Sequence, residues 1–295
     1  MPDMPKDVKP LGAEERRFYI ETLEADGFMV QKAQRKEAGR TSILRELAKP
    51  GATVKIGVVS DTHLGSHEQQ LTHLRDFYRY ADERGVSAYI HAGDLADGSP
   101  KMHVDAALHH FAVGFDAQMR YAIDVYPKSA NGPTYLVDGN HDNYRADGAT
   151  FGEHFARART DTIHLGFHSA FVDIGPCRIY VAHGAKGGLA YARSYKIQKL
   201  LEQMDTVERK DTDIALYGHW HVGLHLPGYQ SVEAFAVPCF QRQTRFLKTL
   251  GVQPVFGGIV LEIEFGQRGV WSVTPTWRLY REPLADDHPG LKESA

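Results

Sequence analysis

A chain of 295 residues, of which 42% are hydrophobic, is long enough to bury a sizeable core, and its formal net charge of -3 leaves no basic field over the whole molecule that would by itself announce nucleic acid. The two cysteines, Cys177 and Cys239, have no CxxC neighbour, which excludes a thiolate metal site and a disulfide framework. No apolar run approaches the roughly 20 residues that cross a bilayer, so a cytoplasmic chain with no membrane contact is expected, and 16 histidines direct attention to metal or proton chemistry.

Residues 1–50 are charged and read as an N-terminal helical arm or small accessory unit. EERRFYIETLEADG places Phe18, Tyr19, Thr22 and Leu23 on one stripe before Gly27, and TSILREL reads as a second short helix capped by Thr41 or Ser42. Arg35, Lys36, Arg40 and Arg45 cluster there, so a small DNA-reading unit stands beside the solvated arm as a second reading. Pro50 and Gly51 mark the boundary with a main domain over 51–282, and 283–295 reads as a polar flexible tail.

From Thr53 short apolar runs alternate with helical segments. VKIGVVSD is a buried strand, HEQQLTHLRDFYRYADERG a helix with Leu71, Leu74, Phe77 and Tyr78 facing in, and VSAYIHAGD a second strand. KMHVDAALHHFAVGFDAQMRYAI reads as one helix and PTYLVDGNHD as a third strand, which is βαβαβ punctuation and implies an α/β layered fold. IHLGFHSAFVDIG, CRIYVAHG, DIALYGHWH, GGIVLEIEF and GVWSVTPTWRLY add strand signal later, with one more helix near ARSYKIQKLLEQM.

The strands end alike. SDTH closes the first with Asp61 and His63, HAGD the second with Asp94, and GNHD the third with Asn140 and His141; VAHG and YGHWH then bring His183, His219 and His221. Ligand crevices of open α/β sheets lie beyond the carboxyl ends of strands, so these ends converge on one site. In extended chain, residues two apart point the same way, so Asp61 with His63 and His219 with His221 are expected to act as clamps, with Trp220 facing away.

Each residue alone has a plainer role: Asp61 as a helix cap, Asp94 as a turn residue, His183 as a satisfied core histidine like His91, His164, His168 and His225. Successive strand ends that all carry such groups have no structural explanation. The seven N/O donors Asp61, His63, Asp94, Asn140, His183, His219 and His221 are too many for one ion, and mixed imidazole and carboxylate suits Mn, Fe, Zn or Ni over Ca or Mg. Two ions about 3.5 to 4 Å apart, bridged by a carboxylate and a hydroxide, would use them all and activate water for in-line displacement at a phosphate.

In this order, D-x-H, G-D, G-N-H-D, a lone H and G-H-x-H resemble the calcineurin-type metallophosphoesterase superfamily over about residues 54–222. The resemblance implies a metallophosphoesterase β-sandwich flanked by α-helices, with Asp61, His63 and His221 on a first metal, Asn140, His183 and His219 on a second, and Asp94 bridging. It also implies His141 as the proton donor to the leaving oxygen, with Asp142 orienting or tuning it. SDTHLG and GDLADGSP further resemble the corresponding blocks of double-strand-break repair exonucleases. The protein phosphatase branch fits less well, because Gly98 stands where that branch has arginine.

The expected activity is therefore that of a phosphodiesterase or nuclease on DNA, with two divalent transition-metal ions, manganese first among them. A phosphomonoesterase or a small-molecule phosphodiesterase acting on cyclic nucleotides is one alternative, and a non-catalytic binding subunit another. For substrate, Lys186 and Arg193 in AKGGLAYARSYK, and Arg242, Arg245 and Lys248 interleaved with Phe240 and Phe246, offer anion contacts.

Overall fold

The computed structural model describes residues 39–99, 106–184 and 192–284. Four parallel strands, β2 (Thr53–Val59), β3 (Ala88–His91), β4 (Thr134–Asp138) and β5 (Thr162–Phe167), lie side by side. Antiparallel β11 (Phe256–Gly266) and β12 (Gly269–Tyr280) complete this sheet in the order β12-β11-β2-β3-β4-β5. The second sheet runs β1 (Gly39–Ile43), β6 (Ser169–Ile174), β7 (Cys177–Ala182), β8 (Ile214–Tyr217), β10 (Val232–Ala236) and β9 (Leu224–Tyr229).

Period-two alternation explains the layers. On β8, Ile214 and Leu216 join Val54, Ile56 and Val58 of β2 and Ile90 of β3 in the core between the sheets. Ala215 and Tyr217 point the other way, where they meet Ile197 and Leu201 of helix α5 (Ser194–Gln203). Outside the first sheet, Leu74, Phe77 and Tyr78 of α1 (Leu71–Glu83) and Phe151 and Phe155 of α4 (Phe151–Ala158) form a third cluster with Tyr89 and Leu136. The central strands of both sheets are thus buried on both faces, and the described residues form a β-sandwich flanked by helices, as the motif order implies.

The helix expected over TSILREL is instead β1, which pairs in parallel with β6: Thr41, Ser42 and Ile43 alternate as a strand edge requires, and two β-branched residues favour it. The expected helix over 101–123 is two pieces among the described residues, α2 (Ala106–His109) and α3 (Phe115–Val125), interrupted at Gly114 with φ 95°. IHLGFHSAFVDIG divides at His168 (φ 65°), where the chain leaves one sheet for the other. The short helices α6 (Thr206–Lys210) and α7 (Arg245–Thr249), strands β9 and β10 and helix α4 were not anticipated. The stripe of Phe18, Tyr19, Thr22 and Leu23, the cations Arg35 and Lys36 and most of the expected tail lie outside the described residues, although Leu284 is bonded through its N–H to Gln70. No helix among the described residues is long and apolar enough to cross a membrane.

Candidate metal centre

Asp61, Asp94 and Asn140 follow the carboxyl ends of β2, β3 and β4, three neighbouring parallel strands, while His183 and His219 follow those of β7 and β8, a parallel pair in the facing sheet. The two sheets therefore deliver their loops to one edge of the sandwich. The extended clamps do not form. Asp61 (φ 51°), His63 (φ 44°), Asp94 (φ 56°), His219 (φ 83°) and His221 (φ 55°) are all left-handed, a conformation that costs a non-glycine residue about 1–3 kcal/mol and gathers at functional sites. Left-handed turns free the backbone amides for other acceptors: His63 N–H donates to the Asp94 carbonyl (3.1 Å) and His219 N–H to the Asp61 carboxylate (2.9 Å). A side chain at Gly139 would collide with the Asp94 carboxylate, so only glycine lets the third strand end this close to the second.

Three overlapping groups could hold an ion: two contain the expected ligands, Asp61 with His63 and His221, and Asp94 with His183 and His219, and a third joins His63 to Asp97 and His141. In the first, His63 Nε2 stands 3.2 Å from His221 Nε2, and Asp61 Oδ1 lies 3.3 Å from His221 Nε2. In the second, His183 Nε2 stands 3.1 Å from Asn140 Oδ1, 3.2 Å from His219 Nδ1 and 3.0 Å from Asp94 Oδ2. Asp94 Oδ2 is also 3.8 Å from His63 Nε2, so one oxygen faces both clusters. His219 and His221, expected to act together, serve different clusters, as Trp220 turns into the core between them.

These spacings fit metal ions. Two nitrogens each about 2 Å from one ion, at a near-tetrahedral angle, stand about 3.3 Å apart. Tautomers agree with this. His183 Nδ1 donates to the Ala92 carbonyl (2.9 Å) and His63 Nδ1 to Asp97 Oδ1 (2.8 Å), which leaves each Nε2 lone pair turned toward the cluster. Ring nitrogens facing each other across 3.2 Å need a proton or a metal cation between them.

The field has the matching sign. Burial opposes ionisation of Asp94, yet His183 and His141 beside it hold its carboxyl well below the usual range. Burial likewise disfavours a charged His183, but Asp94 and Asp61 push it up to about 9. A site that draws a proton onto a buried imidazole draws a divalent cation more strongly. Burial lowers His219 to about 4 and also lowers His63, so both offer neutral ring nitrogens at pH 7.

His141 lies beside these clusters with its Nε2 4.0 Å from Asp94 Oδ2, and its Nδ1 donates to the Asp97 carbonyl (2.6 Å). The Nδ1 partner is therefore the Asp97 backbone, while Asp142, expected to orient or tune His141, bonds three backbone amides. The Asp142 carboxylate accepts the amides of Leu95 (3.0 Å), Ala96 (3.1 Å) and Gly139 (2.9 Å), and so ties the Asp94 loop to the Asn140 loop. Burial and the charges of Asp94 and Asp138 push Asp142 up to about 7 against those amides. Asp97 was the residue the motifs quoted without a role; the G-D-x-x-D spacing was its signal. One carboxylate oxygen takes His63 and Gln241 Nε2 (3.1 Å), and the other lies 2.8 Å from His110 Nε2.

Of the expected substrate contacts, Lys186 lies outside the described residues, and Arg193 is exposed at the start of α5. Phe240 is fully buried in the core and Arg242 pairs with Glu68, so that loop keeps Phe246, at 45% exposed, as its open aromatic. His91 bonds Thr62 Oγ1 (3.2 Å), His164 pairs with Asp138 (2.7 Å) and His225 with Glu233 (2.6 Å), in keeping with their reading as non-ligand histidines.

A helix-flanked sandwich with histidine and aspartate clusters on its loop edge is the arrangement of metal-dependent phosphoesterases. The chain belongs to the calcineurin-like phosphoesterase superfamily: that superfamily's domain matches residues 54–226. Among solved structures, it is similar to Vps29 of Chaetomium thermophilum at 14% identity and a TM-score of 0.37, over 78% of this chain and 99% of that one. No curated protein matches it.

Proposed function

We propose that the chain is a dinuclear metal-dependent phosphodiesterase that acts on DNA. The observation that carries this reading is Asp94 Oδ2, which faces both histidine clusters while His141 Nε2 stands 4.0 Å from it. Asp61, His63 and His221 would hold one ion, Asn140, His183 and His219 the other, and Asp94 would touch both. Manganese suits this oxygen and imidazole set. Bound there, the pair supplies positive charge to the phosphate oxygens and an activated water.

The remaining work falls to the protein. His141 enters as the proton donor: burial opposes its cation, but Asp94, Asp97 and the Asp97 carbonyl raise its pKa above the usual 6.5, which favours the acid form. With Nδ1 engaged by a carbonyl, its acidic proton is the one on Nε2, beside the clusters. Asp97 positions His63 and His141, and Asp142 keeps the two loops in register. The DNA assignment rests on SDTHLG and GDLADGSP, whose wording resembles repair exonucleases.

The test is Mn-loaded protein, with His141→Asn beside it, on end-labelled linear single- and double-stranded DNA. Metal-dependent shortening by wild type that His141→Asn lacks is the expected result. Absence of shortening together with hydrolysis of a nitrophenyl diester would move the substrate to small phosphoesters, and absence of bound metal would support a non-catalytic subunit.

A further inference from the structure

The sequence reading placed substrate contacts after His183 and after Cys239, yet a different rim of the metal centre is built for a ligand. Strand β5 runs parallel to β4, so its carboxyl end emerges at the same edge as Asp61, Asp94 and Asn140. Phe167 is paired across the ladder with Asp138, two residues before Asn140. His168 follows it at the crossing between sheets, and its carbonyl accepts the N–H of His183 at 2.8 Å. The pair Phe167–His168 is therefore fixed by backbone hydrogen bonding beside two residues of the second cluster.

Phe167 is 39% exposed, although the same crossing buries its neighbours Leu165 and Ala170. Its ring meets the His168 ring edge to face at 4.0 Å, and the Arg145 guanidinium carbon stands 5.3 Å from the ring centre. Arg145 belongs to the GNHDNYR loop, four residues beyond His141, and is held there by Asn143 Oδ1 (2.9 Å) and the Gly148 carbonyl (3.2 Å). A part-exposed aromatic ring with a cation beside it suits a planar π system joined to an anion.

We infer that Phe167 and Arg145 form a base-binding subsite: the nucleobase attached to the bound phosphate stacks on Phe167, and Arg145 takes the neighbouring phosphate or the base edge. This rests on the phosphoester reading of the metal centre and names the part of the substrate that reading left open. A nucleotide and a nucleic-acid strand share this chemistry.

The experiment is a calorimetric titration of the full Mn-loaded chain with thymidine 5′-monophosphate, with 2-deoxyribose 5-phosphate, which has the same phosphate and no base, and with a thymidine tetranucleotide. The monophosphate is expected to bind at least about tenfold more tightly than the sugar phosphate. In Phe167→Ala that ratio should fall toward one and Phe167→Tyr should restore it. Trp271→Ala removes an 80% exposed aromatic on β12, at the opposite end of the sheet, and should keep the wild-type ratio. Tighter tetranucleotide binding that also depends on Phe167 identifies a strand as the ligand, and equal binding identifies a nucleotide; both keep the subsite. No preference for the base in wild type, including failure of either compound to bind, overturns it, as does a ratio that survives Phe167→Ala. Base-dependent binding in a protein that hydrolyses no diester would overturn the phosphodiesterase reading alone.

Discussion

Asp94 and His141 sit a few ångströms apart and should fail differently when changed. Asp94→Asn removes the charge that faces both clusters, so metal content and activity should fall together; full occupancy measured by elemental analysis, with activity intact, would sink the dinuclear assignment. His141→Asn should retain metal and slow turnover about 100 to 10,000-fold, with a smaller loss on substrates whose leaving group is nitrophenolate. The proton donor also has a pH signature. The His141 pKa is raised, so the acid form persists below that value and is lost as pH rises through it. Turnover of a poor leaving group should therefore decline on the alkaline side, and this decline should vanish in His141→Asn. Asp97→Asn separates the two histidines: it disturbs the carboxylate that holds His63 Nδ1 but leaves the backbone carbonyl that holds His141. Metal affinity measured by titration should weaken about 10 to 100-fold, and the alkaline limb should move to lower pH without vanishing, because one of the charges that raise the His141 pKa is gone while its carbonyl partner stays.

Helix α4 went unforeseen in the sequence, yet it is tightly anchored. Thr150 caps it in a reciprocal box with Glu153 and also donates to the buried Asp138 at 2.9 Å, which in turn receives His164. Thr150→Ala should cost about 1–2 kcal/mol in denaturant unfolding, at the upper part of the range for a cap because a buried carboxylate loses a donor too. A loss within error would show that the box contributes nothing. Just beyond the helix, Arg159 engages Asp161 through two bonds (3.0 and 2.6 Å) and caps the carbonyls of Ile123 and Tyr126. Burial would raise the Asp161 pKa, but Arg159 lowers it below the ordinary 3.8. That contribution is complete above the unfolded value and is lost as pH falls through the folded one, so the stability gap between wild type and Asp161→Asn should close below about pH 4.

Among the described residues, five left-handed residues and several buried carboxylates meet at one edge, and a bound cation would offset their cost. Chelation should therefore lower the melting temperature, and at metal concentrations about 100 times the dissociation constant the stabilisation should be about 2.7 kcal/mol. An unchanged melting curve with EDTA would argue that no ion belongs there. Much of this edge was legible beforehand. Apolar runs with period two specified the strands, and a polar residue where each run stops specified the convergence, because parallel neighbours end on the same side. The G-D-x-x-D spacing marked Asp97, but its contacts with His63 and His110 and the exposure of Phe167 were not legible, since they depend on distant segments meeting. The strand β1 was misread because β-branched residues beside charges suit either a capped helix or an edge strand until a partner strand decides. The sequence by itself determined the family and the set of candidate ligand side chains, which are local facts of spacing. Tertiary structure decided which cluster each histidine joins, that His141 Nδ1 meets the Asp97 carbonyl while Asp142 ties two loops together, and that Phe167 stays part-exposed at the end of β5, because each depends on backbone turns and cross-sheet contacts that no local pattern encodes.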